Sequence, residues 1–435
     1  MLTILTGVVV ACVMGGVAGA VPAALHQHRC RASAPEKGAA SGNSSRDSRR
    51  GHDWLVQWTP LGFVARAGIG SPRFEHNVFV DWTWIGHIVT TPRCFGQWNA
   101  ALCFYAGQVV WDPRSSVSWA NLSGTYGDRT WQPNHFFRRD AMHVDFASDE
   151  VQVGPVSGRV VLQLTDLAFD ASKFGAAYPF TGVFGMSPVF PGDDARYQSP
   201  FYQQWKHGVW HRGLAGFVYC HDPWSKHAVC KGHDGIQTLG GIRRDLIAHG
   251  KIWWYRVKVY PDVNTLDFVY TPPVLNYWAI ELQSLRIGPE TQRLAPTSER
   301  SGKGAIFDHA SYGRGVPLTV NAYARLVALT GGKRVLLPSP PNNGAQDFYA
   351  VDCSRLATFP TLAYRFVGHA REWTVTPQRY VETTPTGTCV LNVRTLASRD
   401  EFIGNFGETF IKDKYIVLDF ERNRLGIADV AWPLS

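Results

Sequence analysis

Two aspartates stand at the ends of matching apolar runs, Asn77-Val78-Phe79-Val80-Asp81 near the start of the chain and Gly304-Ala305-Ile306-Phe307-Asp308 two-thirds of the way along. Each run reads as a strand that delivers a carboxylate at its C-terminal end. One such Asp is ordinarily a turn residue; two, in two similar halves, point to one carboxylate from each half meeting at a shared cleft. Carboxylates close enough to share a proton cannot both ionise, so one is held protonated while the other carries charge. The charged member can activate a water as its partner protonates the carbonyl oxygen of a peptide, and the pair titrates as a unit. The alternative is that both are relics, bonded to neighbouring backbone groups in a cleft that binds or does nothing. The flanking residues keep both open: Asp81 is followed by Trp82, Thr83 and Trp84, and Asp308 by His309 and Ala310. An imidazole at 309 could pair with either carboxylate and hold it ionised, so that Trp82, Trp84 and His309 would form a rebuilt site.

The elements that must carry these residues follow from composition. At 435 residues, two domains or one large two-lobed unit are expected. Hydrophobic residues make up 45% and charged residues 18%, with 16 Trp, 16 Tyr and 24 Phe, enough for a substantial globular core. Short runs of Val, Ile, Tyr, Phe and Trp recur between Gly, Pro, Asn and Asp, which predicts a mainly β architecture. Trp254 and its neighbours Trp253 and Tyr255 read as core or inter-lobe packing rather than a ligand platform.

The ordered motifs along the chain resemble those of the pepsin-like aspartic peptidases. Gly68-Ile69-Gly70-Ser71-Pro72 stands at the matching distance before Asp81, and Trp111-Asp112-Pro113-Arg114-Ser115-Ser116 and Ser148-Asp149-Glu150-Val151 follow it. Phe180-Thr181-Gly182-Val183-Phe184-Gly185 and Thr238-Leu239-Gly240-Gly241 continue the first half. In the second, Tyr277-Trp278-Ala279-Ile280, Ala305-Ile306-Phe307-Asp308, Cys353 through Tyr364, and Tyr415-Ile416-Val417-Leu418-Asp419 with Asn423-Arg424-Leu425-Gly426 fall in the family's order. The resemblance covers roughly residues 54 to 430 and implies a bilobal fold of two β-rich lobes with a cleft between, the two aspartate strands being its internal repeat. The implied division is an N-terminal lobe over 52–245, a connection over 246–275 and a C-terminal lobe over 276–435. It also implies Asp81 and Asp308 as the catalytic pair, with Trp82, Thr83, Phe137, His309 and Ala310 beside the bound ligand.

The motifs depart from the family at the site itself. There each Asp is followed by Thr or Ser, whose hydroxyl locks the opposite loop, then by Gly, whose amide bonds the carboxylates. Here Trp82 and His309 replace the hydroxyls, and Thr83 and Ala310 the glycines; Trp82 is expected to be too large for its position. Counting back from Ser148 places Phe137-Arg138-Arg139-Asp140 at the flap, without the family's tyrosine hydroxyl or its glycines. Two functions are therefore expected: a homologue that binds a peptide or protein in the cleft with little or no proteolysis, or an active acid endopeptidase using Asp81 and Asp308.

Residues 1–25 carry no charged side chain and end in small residues, as a secretory signal does; an uncleaved signal-anchor is the alternative, and only then would the chain contact a membrane. Residues 26–51 read as a disordered basic tail or short propeptide, with Arg49-Arg50 a candidate processing pair. Six cysteines in an exported chain fall into local pairs, Cys94 with Cys103, Cys220 with Cys230 and Cys353 with Cys389, and read as disulfides. Two sequons, Asn43-Ser44-Ser45 and Asn121-Leu122-Ser123, agree with export. An extracellular or lumenal destination is expected, a vacuole- or lysosome-like compartment included. A zinc site from Cys220, His221, Asp222, His227, Cys230 and His233 is the weaker reading of that segment, and no metal or other cofactor is expected. The formal charge of +8 owes half its value to the 26–51 tail and forms no basic stripe, so no nucleic-acid partner is expected. A monomer is anticipated. No Gly-x-Ser-x-Gly elbow is present, and Gly68-Ile69-Gly70 lacks the third glycine of a nucleotide loop.

Overall fold

The computed structural model describes residues 51–59, 62–96, 103, 109–126, 129–131, 142–166, 180–220, 228–258, 277–294, 303–309, 315–339, 344–396 and 403–431. Phe137, Ala310, Arg49-Arg50 and the segment 1–50 lie outside them.

The run into Asp81 is a strand because both of its faces are covered. In Phe74–Asp81, Val78, Phe79 and Val80 are all buried, the near-continuous apolar run of a strand sandwiched on two sides. It lies between an antiparallel neighbour, Gly62–Ile69, with Phe63 opposite Val80, and a parallel neighbour, Phe180–Gly185, with Gly185 opposite Asp81. The second aspartate strand repeats the pattern. Gly304–Phe307 is buried at every position and lies between antiparallel Ala279–Ile287 and parallel Ile403–Phe406, with Phe307 opposite Phe406. One local pairing scheme thus delivers both carboxylates, and the bilobal, mainly β architecture expected of the sequence is the one found.

Among the described residues the largest sheet has 14 strands and a second has six, the latter carrying Gly304–Phe307. The large sheet is not confined to the first half of the chain. The hairpin formed by Lys414–Asp419 and Arg424–Asp429 enters it, the first strand pairing with Leu214–Tyr219 and the second with Trp253–Arg256. The halves are joined further by the Trp278 indole, which donates to the Met186 carbonyl at 2.7 Å, and by Asn423 Nδ2 to the Val189 carbonyl at 2.9 Å. Trp253 and Tyr255 serve packing: Trp253 meets Trp373 edge to face, and the Trp373 indole donates to the Tyr255 hydroxyl.

Two glycines are sterically required beside Asp81. A Cβ on Gly182 would collide with the Ile88 carbonyl, and one on Gly185 with those of Trp84 and Gly86. The loop after Asp81 can therefore lie directly on the neighbouring strand.

All three expected disulfides form: Cys94–Cys103, Cys220–Cys230 and Cys353–Cys389. Cys220–Cys230 takes both thiols of the segment read alternatively as a zinc site, and its sulfurs pack against Val218 and Ile236.

Candidate active site

Asp81 is the last residue of its strand, and the chain turns back over its carboxylate. Oδ1 accepts the Thr83 amide at 2.7 Å, the Thr83 hydroxyl at 2.7 Å and the Trp84 amide at 3.1 Å, while the Asp81 carbonyl accepts the Met186 amide at 2.7 Å. Thr83 therefore keeps the amide contact expected of a glycine and adds a hydroxyl. Only 2% of Asp81 is exposed, and burial raises its pKa above the usual carboxylate range against the pull of these three donors. Asp308 follows directly on its strand, is equally buried, and donates its amide to the Phe406 carbonyl at 3.2 Å.

The residues after the two aspartates meet. Trp82 and His309 stack with ring centroids 4.2 Å apart and planes 30° from parallel, both with no exposed surface. Phe217 stands edge-on to Trp82 at 5.2 Å and to His309 at 4.8 Å, and Phe63 lies 5.0 Å from His309. The Trp82 indole donates to Gln237 Oε1 at 3.0 Å, whose amide donates to the Gly216 carbonyl, and the Tyr219 hydroxyl donates to the His309 carbonyl at 3.1 Å. An aromatic stack thus occupies the place where the resemblance calls for two hydrogen-bonding hydroxyls.

This geometry corrects two expectations. Trp82 is not too large, because Phe217, Gln237 and His309 form a pocket of its shape. His309 does not pair with a carboxylate: its Nδ1 is 3.9 Å from Asp308 Oδ1, beyond hydrogen-bond reach, and neither ring nitrogen makes a hydrogen bond. Burial holds its pKa well below that of a free imidazole, so the ring is neutral. Trp82, Trp84 and His309 are all buried, and the stacked rings of Trp82 and His309 join the two aspartate loops.

Sequence reasoning passed over Phe63, Phe217, Tyr219 and Gln237. Phe217 and Tyr219 stand two apart on one strand face, and Phe63 is opposite Val80, so the period-2 pattern marked them as core without marking which core. Phe137 lies outside the described residues; of the strands on either side of it in sequence, Arg129–Trp131 pairs antiparallel with Met142–Val153, with Trp131 opposite Met142.

Comparison with known proteins places this geometry. A family model for eukaryotic aspartyl proteases matches residues 137–430, a span that begins after Asp81 and includes Asp308. An aspartic protease-like protein of Aspergillus terreus is 48% identical over 396 residues, covering 87% of this chain and 93% of the relative. The chain belongs to the eukaryotic aspartyl protease family. Other relatives in this family are an aspartic protease-like protein of Aspergillus niger, 44% identical over 87% of this chain and 92% of its own length, and a probable secreted aspartic protease of Arthroderma benhamiae, 43% identical over 83% and 88%. For this aspartyl protease homologue, three disulfides and relatives named as secreted agree in pointing to the secretory route. Among the described residues, no helix is long and apolar enough to cross a membrane.

Proposed function

We propose that this aspartyl protease homologue holds a peptide or protein segment in the cleft at Asp81 and Asp308 and hydrolyses it slowly or not at all. The observation that carries the reading is the Trp82–His309 stack. A working pair needs its two carboxylates held to within a fraction of an ångström by hydrogen bonds from both lobes. In place of hydroxyls that bond across, this chain sets two rings in face contact, and the imidazole contributes no hydrogen bond at all. The hydrogen bonds described on the Asp81 carboxylate come from its own turn.

A second reading has its own observation. The three donors on Asp81 Oδ1 are the kind of restraint that an active general base requires, and they favour an acid endopeptidase using Asp81 and Asp308 on a water nucleophile. The two are separated by incubating the secreted chain, processed and unprocessed, with a diverse peptide library from pH 3 to 7, reading cleavage by mass spectrometry and binding by fluorescence anisotropy, with folding checked by circular dichroism at each pH. Binding without turnover is expected. Rapid cleavage, abolished by both Asp81→Asn and Asp308→Asn, would refute the proposal in favour of the second reading; neither binding nor cleavage by folded, processed protein would refute both.

A further inference from the structure

The first lobe carries a second feature, remote in sequence from both aspartates. Ala120–Asn121 is a two-residue strand at one edge of the 14-stranded sheet, pairing with Ser148 and Ala147. Asn121 is exposed, and its Oδ1 accepts the Ser123 amide at 2.8 Å, an arrangement that uses the carbonyl oxygen and leaves Nδ2 without a hydrogen bond among the described residues. Asn121-Leu122-Ser123 is a glycosylation sequon, and two residues before it stands Trp119.

Trp119 and Asn121 line one pocket of about 430 Å³, within the range that takes a small molecule. Its lining combines the apolar Trp119, Phe146 and Leu164 with the exposed Asp112–Arg114 ion pair. The Trp119 indole N–H is buried with no acceptor. A lining of aromatic and charged hydrogen-bonding groups suits a sugar ring, which offers an apolar face of C–H groups and an edge of hydroxyls.

We propose that Asn121 carries an N-linked glycan whose first N-acetylglucosamine seats over Trp119 in this pocket. The modification requires that the chain be exported and that the Asn121 amide be accessible, as its exposure allows. In the lumen, Nδ2 bonds to the anomeric carbon of an oligosaccharide carried on a polyprenyl diphosphate; the C1–O bond breaks, the lipid diphosphate leaves, and one Nδ2 proton passes to solvent. The seated glycan covers the open edge of the sheet, where unpaired backbone groups would otherwise invite strand addition.

The test uses the full chain secreted from a eukaryotic host. Glycopeptide mass spectrometry is expected to find Asn121 occupied, with Ser123→Ala and Asn121→Gln removing the glycan and Ser123→Thr retaining it. Seating is read from endoglycosidase H trimming: the native glycoprotein should be trimmed roughly tenfold more slowly than the denatured one, the protection that about 1.4 kcal/mol of seating provides. Trp119→Ala should bring the native rate to the denatured rate. An unoccupied Asn121 in the unaltered secreted chain would overturn the proposal, and so would an occupied site trimmed equally fast in both states. The occupancy measurement needs no variant to fold.

Discussion

Lowering the pH toward the acid range should destabilise this chain strongly, and the buried histidines set the size of the effect. Burial drives His76 to about 4 and His87 to about 3, from 6.5 for an unhindered imidazole, and neither ring nitrogen of His87 has a hydrogen-bond partner. The unfolded chain takes up these protons below pH 6.5 and the folded chain does not, so stability is lost as pH falls from 6.5 toward each folded value. At about 1.4 kcal/mol per proton per pH unit, the two together cost about 5 kcal/mol by pH 4.5, a large part of the roughly 5–15 kcal/mol that holds a typical fold. His309, also depressed by burial, adds a term of the same sign. Asp81 works in the opposite direction: its raised pKa lets the folded chain take up a proton first, which offsets part of the loss below that value. Urea denaturation with disulfides intact, followed by tryptophan fluorescence from pH 7.5 to 4.5, measures the balance. The unfolding free energy should fall across that window, and His87→Leu, which removes a buried ring with no hydrogen-bond partner, should flatten the slope by about 1.4 kcal/mol per pH unit. A free energy that is flat or rises on acidification, or a slope unchanged in His87→Leu, would refute the reasoning.

Truncating the stack should be costly: Trp82→Ala is expected to destabilise by about 3–5 kcal/mol, and a double-mutant cycle with His309→Ala to show coupling of about 0.5–1.5 kcal/mol in denaturation midpoints. Additivity of the two changes would show that the rings do not support each other. Replacing Cys353 and Cys389 together by Ser removes a loop closure spanning 36 residues and should cost about 2–4 kcal/mol in the same assay, with the far-ultraviolet β-sheet signature retained.

Much of the scaffold was legible because its signals are local. Val78 to Val80 and Ala305 to Phe307 announce buried strands by composition alone, and the three disulfides join cysteines 9, 10 and 36 residues apart, where proximity in sequence selects the partner. The site was legible only in part, since its novelty lies in pairs brought together by the fold. Trp82 reads as a misfit when judged against its own loop; Phe217 and Gln237 approach it from strands more than 130 residues away. His309 was expected to seek the charge beside it, but the aromatic surroundings supplied from the first half outweigh a carboxylate 3.9 Å away, because ionising the ring there would leave a buried cation without a hydrogen bond. Thr83 stands where the resemblance calls for glycine, yet the amide, which every residue but proline possesses, makes the contact with the carboxylate.

The hairpin Lys414–Asp419 and Arg424–Asp429 bears on how the chain comes to be folded at all. Its strands complete a sheet whose other members were synthesised some two hundred residues earlier. Until the ribosome has released nearly the whole polypeptide, Leu214–Tyr219 and Trp253–Arg256 stand with an open side, so the first half cannot mature as an independent unit during translation. A chain that stops just before residue 414 therefore leaves an edge of Leu214–Tyr219 without its sheet partner rather than forming a smaller complete lobe, and a nascent chain must keep that edge covered until the final strands arrive.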